Sequence, residues 1–271
     1  AHIAPLLKLD NGNKRKLSKR YDPEANMKYF FEQWFPVQWL MEYLLTIMDS
    51  NFETWRNENP NEDFSKFVFS LERMNTSGAL FDLTKLQNIC NNYLSRISTD
   101  ELFEQWLARA KIYKPDLAEL MLSDIDYTKQ ALNIERKSEK DPKRFTLYSD
   151  IENQIRFFYD KEREILRKDV KPLVFVESQD ITEKLKSFVD EYMQVLDLNM
   201  SVEDWFAQLK EIWKKYWFAW NNAEFKEWGY IWKIWDLAMF LRINLCCSAQ
   251  TPDLFSVMKV MGKERMKNRL K

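Results

Sequence analysis

Glycine occurs only 4 times and proline 8 times in this chain of 271 residues, against ordinary usage near 7% and 5%. So little glycine excludes collagen-like and linker-like chains and argues against folds built from strands and tight turns. Neither GxGxxG nor GxxxxGK followed by Ser or Thr occurs, so neither a dinucleotide fold nor a P-loop is indicated. Cysteine is as scarce. Cys90 stands alone, Cys246 and Cys247 are neighbours, and no CxxC or HxxxH spacing exists, which argues against a structural zinc site, and no metal-ligating residue is singled out. An odd, sparse set of thiols points to a reducing cytoplasm rather than a disulfide scaffold. The single histidine, His2, leaves no histidine-based triad. Long apolar runs are missing too: residues 228–247 form the longest, and Lys233, Asp236 and Arg242 interrupt it, so no membrane span is expected.

What remains is rich in aromatic (15%), apolar (45%) and charged (31%) residues, the composition of a helical globular protein with a sizeable core. The formal net charge of −1 conceals polarity along the chain. Residues 1–20 carry +5, the last fourteen residues carry +5, and the body between them carries −11. Two basic ends on an acidic body suit local anion contacts better than the coating of a polyanion. No signal peptide is visible, and the chain starts inside the apolar run of residues 3–9, which reads as a cut edge.

Residues 3–9 read as a short strand entering the loop Asp10–Gly12. Asp22-Pro23-Glu24 then reads as a helix start, with a cap, a proline at the first position and an acid on the dipole. Val37, Leu40, Met41, Leu44, Leu45 and Met48 recur at helical steps and predict one buried face. Residues 57–63, polar and holding Pro60, read as a loop. Asp82 predicts a helix start, and Ser98 with Glu101 and Ser149 with Glu152 both have capping-box spacing. Residues 170–176 read as a linker or brief extended piece around Pro172. Long helices are expected from Ser201 to the end, with Pro252 at a helix start and Gly262 at a stop. No repeat of 20–50 residues is apparent, which weighs against a solenoid.

Five of the seven residues from Lys14 to Arg20 are cationic. Such a run is too polar for a core and too repulsive for a helix, so a mobile loop is expected. A loop of ammonium groups can close on a phosphate chain and neutralise a departing phosphate group, although a cationic run taken alone is more often a solvated loop.

Its surroundings sharpen the reading. The string HIAPLLKLDNGNKRKLSKRYDPEA, residues 2–25, resembles the end of the catalytic domain of glutamyl-tRNA synthetases, where an apolar strand leads to a Lys-Leu-Ser-Lys-Arg version of the KMSKS loop. Residues 77–86, SGALFDLTKL, resemble that family's signature beyond the loop. Leu241-Arg242, Thr251-Pro252-Asp253-Leu254 and Met261-Gly262-Lys263-Glu264-Arg265 resemble its closing motif. The three lie in the family's order and span nearly the whole chain.

The resemblance implies a mainly α fold in three parts. Residues 1–22 are the tail of a catalytic domain with its KLSKR loop, 23–98 a helical stem-contact region and 99–271 an all-helical anticodon-binding domain. It implies that Lys16 and Lys19 are catalytic and that Lys16, Ser18 and Lys19 bind ATP. The intact enzyme would use ATP and Mg2+, without zinc in this portion, to activate glutamate for transfer to tRNA(Glu). Arg242, Lys263 and Arg265 match the closing motif and are the expected tRNA contacts. A cytoplasmic monomer is expected. No HIGH-type signature occurs, so the resemblance implies a tRNA-binding portion that does not aminoacylate alone. A glutaminyl relative shares the loop, but it would read its anticodon with β-barrels, for which residues 99–271 lack the alternating pattern. A non-catalytic helical module derived from a synthetase is the other alternative.

Trp213, Trp217 and Trp220, and again Trp228, Trp232 and Trp235, fall at i, i+4 and i+7. Aromatics at this spacing can stack unpaired bases, and they also make a buried helix stripe. Core packing is the reading taken.

Overall fold

Helices begin where short polar side chains stand ahead of apolar periodicity. Asp82 accepts the Lys85 N–H at 3.1 Å and starts α4, Leu83–Arg96. Ser98 Oγ accepts the Glu101 N–H at 3.0 Å ahead of α5, Thr99–Tyr113. Ser201 Oγ accepts from Asp204 at 3.0 Å and starts α11, Val202–Lys215. Asp253, not Pro252, caps α13, Leu254–Met261, and Gly262 ends that helix at φ 79°. Each such side chain satisfies an N–H that the helix itself leaves without a partner. The start expected at Ser149 is displaced. Helix α8, Tyr148–Ile155, begins two residues before the first position a Ser149 cap would give, and Asp150 accepts the N–H groups of Thr146 and Leu147 at 2.9 and 2.8 Å.

The computed structural model describes residues 4–74, 77–136, 144–170, 179–216, 218–219, 226 and 232–270. Helices dominate the described residues. The expected linker lies outside them beyond Val170. Besides the N-terminal hairpin, a two-residue parallel pair joins Phe218–Ala219 to Trp232–Lys233, a small departure from the all-helical expectation. Backbone contacts divide the chain into two compact units, residues 1–109 with 136–152, and residues 110–135 with 153–271.

The first unit is centred on α2, Val37–Met48, and α4. The buried face of α2 is rotated from the one its aliphatic periodicity predicts. Trp39, Leu40 and Tyr43 are buried while Val37 and Met41 are exposed, because the two large rings bury more area than the smaller aliphatics. Residues 144–152 return to complete this core. Trp106 Nε1 donates to the Tyr148 carbonyl at 3.0 Å, Asn91 Nδ2 donates to the Phe145 carbonyl at 3.0 Å, and the Cys90 thiol donates to the Thr146 carbonyl. The buried Arg136 donates to the carbonyls of Leu94 and Ile97 at 2.6 and 2.7 Å, where the end of α4 leaves acceptors open.

In the second unit Trp205 of α11 stacks on Phe255 of α13 with centroids 4.9 Å apart, and its Nε1 donates to Tyr192 Oη at 3.0 Å. Arg269 lies on α14, Lys263–Leu270. Its nearly buried guanidinium donates to the carbonyls of Phe157 and Leu245 at 2.7 and 2.8 Å, to Phe158 at 3.3 Å and to Asp160. One side chain thus satisfies acceptors from two segments, residues 157–160 and the end of the helix that holds Leu245. Trp213 and Trp232 are buried, in keeping with the core reading. Trp217, Trp220, Trp228 and the side chain of Trp235 lie outside the described residues.

Candidate functional site

The cationic run is built into a hairpin. Strands β1, Leu7–Asp10, and β2, Asn13–Lys16, pair antiparallel with Lys8 opposite Arg15 and Asp10 opposite Asn13. The connection is Asn11-Gly12 with φ of 50° and 83°, the left-handed pair of a two-residue turn that Asn-Gly favours. The loop expected over Lys14–Arg20 is therefore part strand. Repulsion between neighbouring cations excludes a helix there, but in a strand successive side chains point to opposite faces, and nearby acids neutralise Arg15.

Asp22 is the centre of this arrangement and is 2% exposed. Arg15 grips its carboxylate with both terminal nitrogens, at 2.6 and 2.8 Å, and also holds Asp10 at 2.7 Å. The Ser18 N–H donates to Asp22 Oδ2 at 2.8 Å, and Lys8 Nζ lies 3.3 Å from Oδ1 while also pairing with Glu24. The Arg15 guanidinium, and after it the Ser18 amide, hold the Asp22 carboxyl well below the usual carboxylate range. The expected helix cap is thus redirected. Pro23–Ala25 forms a single 3-10 turn, and Asp22 gives it no side-chain cap bond.

Backbone bonds close the loop. The N–H groups of Tyr21 and Asp22 donate to the Ser18 carbonyl at 3.1 and 2.8 Å, and the Arg20 N–H reaches Ser18 Oγ at 3.4 Å. Lys16 and Lys19 are exposed and make no side-chain ion pair or hydrogen bond among the described residues. Both line one cavity of about 460 Å³ with an apolar floor that includes Leu6, Phe30 and Tyr43. The structure therefore brings Lys16 and Lys19 together, while Ser18 faces its own loop's backbone.

Residues 77–86 anchor the hairpin from behind. The Leu7 N–H donates to the Ala79 carbonyl at 2.8 Å, and the Phe81 N–H donates to the Leu7 carbonyl at 2.7 Å. A side chain at Gly78 has no room, since a Cβ there would lie 2.6 Å from the Pro5 carbonyl oxygen. Phe81 is buried edge-on against Tyr43, with centroids 5.6 Å apart, and Tyr43 Oη accepts the Asp82 N–H at 2.8 Å.

The cations singled out near the end all lie in the second unit, each with an internal partner. Arg242 of α12, Ile234–Cys246, donates to the carbonyls of Thr251 and Pro252 at 3.2 and 3.1 Å and to the Thr251 hydroxyl. Lys263 is exposed and donates to the Leu196 carbonyl at 3.1 Å, beyond the end of α10, Gln179–Val195. Arg265 pairs with Asp160 at 3.2 Å and lies 4.6 Å over the Tyr127 ring. Among the described residues no group of three or more His, Cys, Asp or Glu is placed to hold a metal, and no helix is long and apolar enough to cross a membrane.

Sequence reasoning missed Arg15, Lys8 and Asp22 as a unit. Asn11-Gly12 carried the signal, because a two-residue turn there sets Lys8 opposite Arg15.

Residues 101–271 match the family described as Anticodon binding domain. The chain is 34% identical over 271 residues to a glutamate–tRNA ligase of Acetivibrio thermocellus, covering 99% of this chain and 48% of that protein. It is 32% identical to one of Clostridium perfringens, covering all of this chain and 49% of the relative. It thus spans about half the length of the curated relatives it matches. A crystal structure of a glutamate tRNA ligase from Elizabethkingia meningosepticum, in complex with its amino acid, superposes with a TM-score of 0.61 at 20% identity. That match covers 100% of this chain and 50% of the other.

Proposed function

The chain belongs to the anticodon-binding-domain family through residues 101–271, and on that premise we propose that it is the C-terminal, tRNA-binding portion of a glutamate–tRNA ligase. The observation that carries this reading is similarity to such ligases along 99% of the chain, through the lysine-bearing hairpin as well as the helical region. In this reading residues 1–22 are the tail of the catalytic domain, 23–98 contact the stem of tRNA(Glu), and 99–271 bind the anticodon arm.

In the intact enzyme the glutamate carboxylate attacks the α-phosphate of ATP, pyrophosphate leaves, and the glutamyl group passes to the tRNA 3′ end. The residues of the hairpin suit a polyphosphate. Lys16 and Lys19 offer two ammonium groups at one cavity with no side-chain partner among the described residues, while the neighbouring carboxylates Asp22 and Glu24 are taken up by Arg15 and Lys8. Lys19, with Lys16 beside it, neutralises the charge growing on the leaving pyrophosphate, and Ser18 shapes the loop between them. Mg2+ supplies further charge neutralisation on the phosphates when bound. No HIGH-type signature lies among these residues, so activation needs a nucleotide-binding half from outside them, and the chain alone does not aminoacylate.

Arg242, Lys263 and Arg265 are the proposed tRNA contacts of the anticodon region, Arg242 also holding the carbonyls of Thr251 and Pro252 ahead of α13. The reading as a glutaminyl relative loses ground to the helical character of residues 101–271.

Filter binding to tRNA(Glu) and to an unrelated tRNA, each across a salt series, tests the proposal. Tighter binding to tRNA(Glu) is expected, with log affinity falling linearly as log salt rises. Equal affinity for both RNAs refutes it.

A further inference from the structure

Four of the five cations between Lys14 and Arg20 have no side-chain ion pair among the described residues; Arg15 alone is spent inside the protein. What spends it is Asp22, which also takes the Ser18 N–H at 2.8 Å while its own N–H returns to the Ser18 carbonyl at 2.8 Å. Residues 18 and 22 are thus tied by two bonds, one through backbone and one through a nearly buried carboxylate. The same carboxylate is tied to β2 through Arg15 and to β1 through Lys8.

We propose that Asp22 is a positioning residue for the polyphosphate-binding loop: its carboxylate clamps Ser18 to Arg15 and so fixes where Lys16 and Lys19 stand. This rests on the assignment of those lysines to ATP and adds the residue that sets their geometry. Lys16 precedes and Lys19 follows the two clamped residues Leu17 and Ser18, and Leu17 is itself held by its N–H on the Leu6 carbonyl at 2.8 Å. Each lysine is therefore one residue from a fixed point, and both reach the same cavity. Without the clamp the five cations repel one another, since among the described residues the other carboxylates near them are Asp10, on Arg15, and Glu24, which lines the cavity and is paired with Lys8. Ammonium groups that must be gathered at binding lose affinity to the ordering they undergo. Asp22 also removes one cation from competition, since a bidentate arginine–carboxylate pair is directional and strong. Arg15 is thereby kept from folding over the phosphates in place of the lysines.

The test is binding of inorganic pyrophosphate to the 271-residue protein, followed by isothermal calorimetry or by amide chemical shifts at Lys16–Arg20. Four variants are compared: Asp22→Asn, Asp22→Glu, Arg15→Gln and Lys19→Ala. Lys19→Ala reads the underlying assignment and weakens binding if that assignment holds. Asp22→Asn removes charge while keeping all the lysines and is expected to weaken binding about tenfold, the size of one lost charge-assisted bond. It also speeds hydrogen exchange at the Ser18 amide. Asp22→Glu restores the charge and recovers part of the affinity, which a merely structural loss does not do. Arg15→Gln leaves Ser18 on Asp22 and reads the clamp independently if Asp22→Asn does not fold. Weakening by Lys19→Ala with unchanged affinity in Asp22→Asn and Arg15→Gln overturns the inference and leaves the assignment standing. Unchanged affinity in Lys19→Ala, or no binding by the parent protein, overturns the assignment and the inference with it.

Discussion

Gly78→Ala is the substitution whose cost the structure specifies most closely. The added methyl group would stand 2.6 Å from the Pro5 carbonyl oxygen and 2.8 and 2.9 Å from two carbons of Leu7. Leu7 can turn its side chain, but Pro5 is backbone, so residues 5–7 or 77–79 must part. Parting stretches the two bonds that tie the hairpin to the rest of the first unit, Leu7 N–H to Ala79 and Phe81 N–H to Leu7, at 2.8 and 2.7 Å. Forced overpacking costs about 2 kcal/mol, and two weakened backbone bonds add about 1 kcal/mol each, so a loss of about 2–4 kcal/mol is expected. The left-handed backbone region plays no part, because the penalty comes from contact alone. Urea denaturation checks it: with a slope of about 2 kcal/mol per molar, the midpoint falls by about 1–2 M. Hydrogen exchange at Leu7 and Phe81 should rise more than at Cys90 or Leu94. A midpoint shift below about 0.2 M, or exchange unaltered at those two amides, refutes the close-approach reasoning.

Asp49, buried and held by Arg73 at 2.8 Å, has its carboxyl lowered by that guanidinium first, with the Asn51 and Ser70 amides also contributing. Its stabilising contribution is therefore complete above the ordinary carboxylate value near pH 4 and is lost as pH falls below it; Asp49→Asn should lower neutral-pH stability and flatten acid unfolding below about pH 4, checked by urea titrations at stepped pH. Arg269→Ala removes the arginine donor from the buried carbonyls of Phe157 and Leu245, and from that of Phe158, which keeps the Tyr127 hydroxyl, and is expected to cost about 3 kcal/mol. Arg269→Lys should recover little, because an ammonium group lacks the planar fork, and thermal melts of both variants decide it. Cys90, Cys246 and Cys247 are all buried, and burial pushes the Cys246 thiol up to about 12, so a thiol reagent at neutral pH should label the protein only as fast as it opens.

Local chemistry was readable in the sequence and tertiary chemistry was not. Asp82, Ser98 and Gly262 act within four residues of themselves, and each does what its position in the pattern implies. Asp22 has the same local credentials as Asp82, with Pro23 even strengthening the case for a helix. Its carboxylate is instead taken by Arg15 seven residues earlier, which a local pattern does not encode. The buried face of α2 departs from the aliphatic pattern for a related reason: periodicity weighs positions equally, whereas Trp39 and Tyr43 outweigh Val37 and Met41 in buried area. In the candidate site, the lysines came from a resemblance and the clamp that holds them from geometry. Arg242, Lys263 and Arg265 were visible as cations, but their partners Thr251, Leu196 and Asp160 were not.

Residues 144–152 return to the first unit, and this orders events during translation. Trp106 leaves the ribosome some 40 residues ahead of Tyr148, a delay of about 2–8 s at ordinary elongation rates. Throughout that interval Cys90, Asn91 and Trp106 wait for the carbonyls of Thr146, Phe145 and Tyr148 that they bond in the finished protein. An expression boundary set between 109 and 144 would make the wait permanent, leaving an N-terminal product with its centre only part filled.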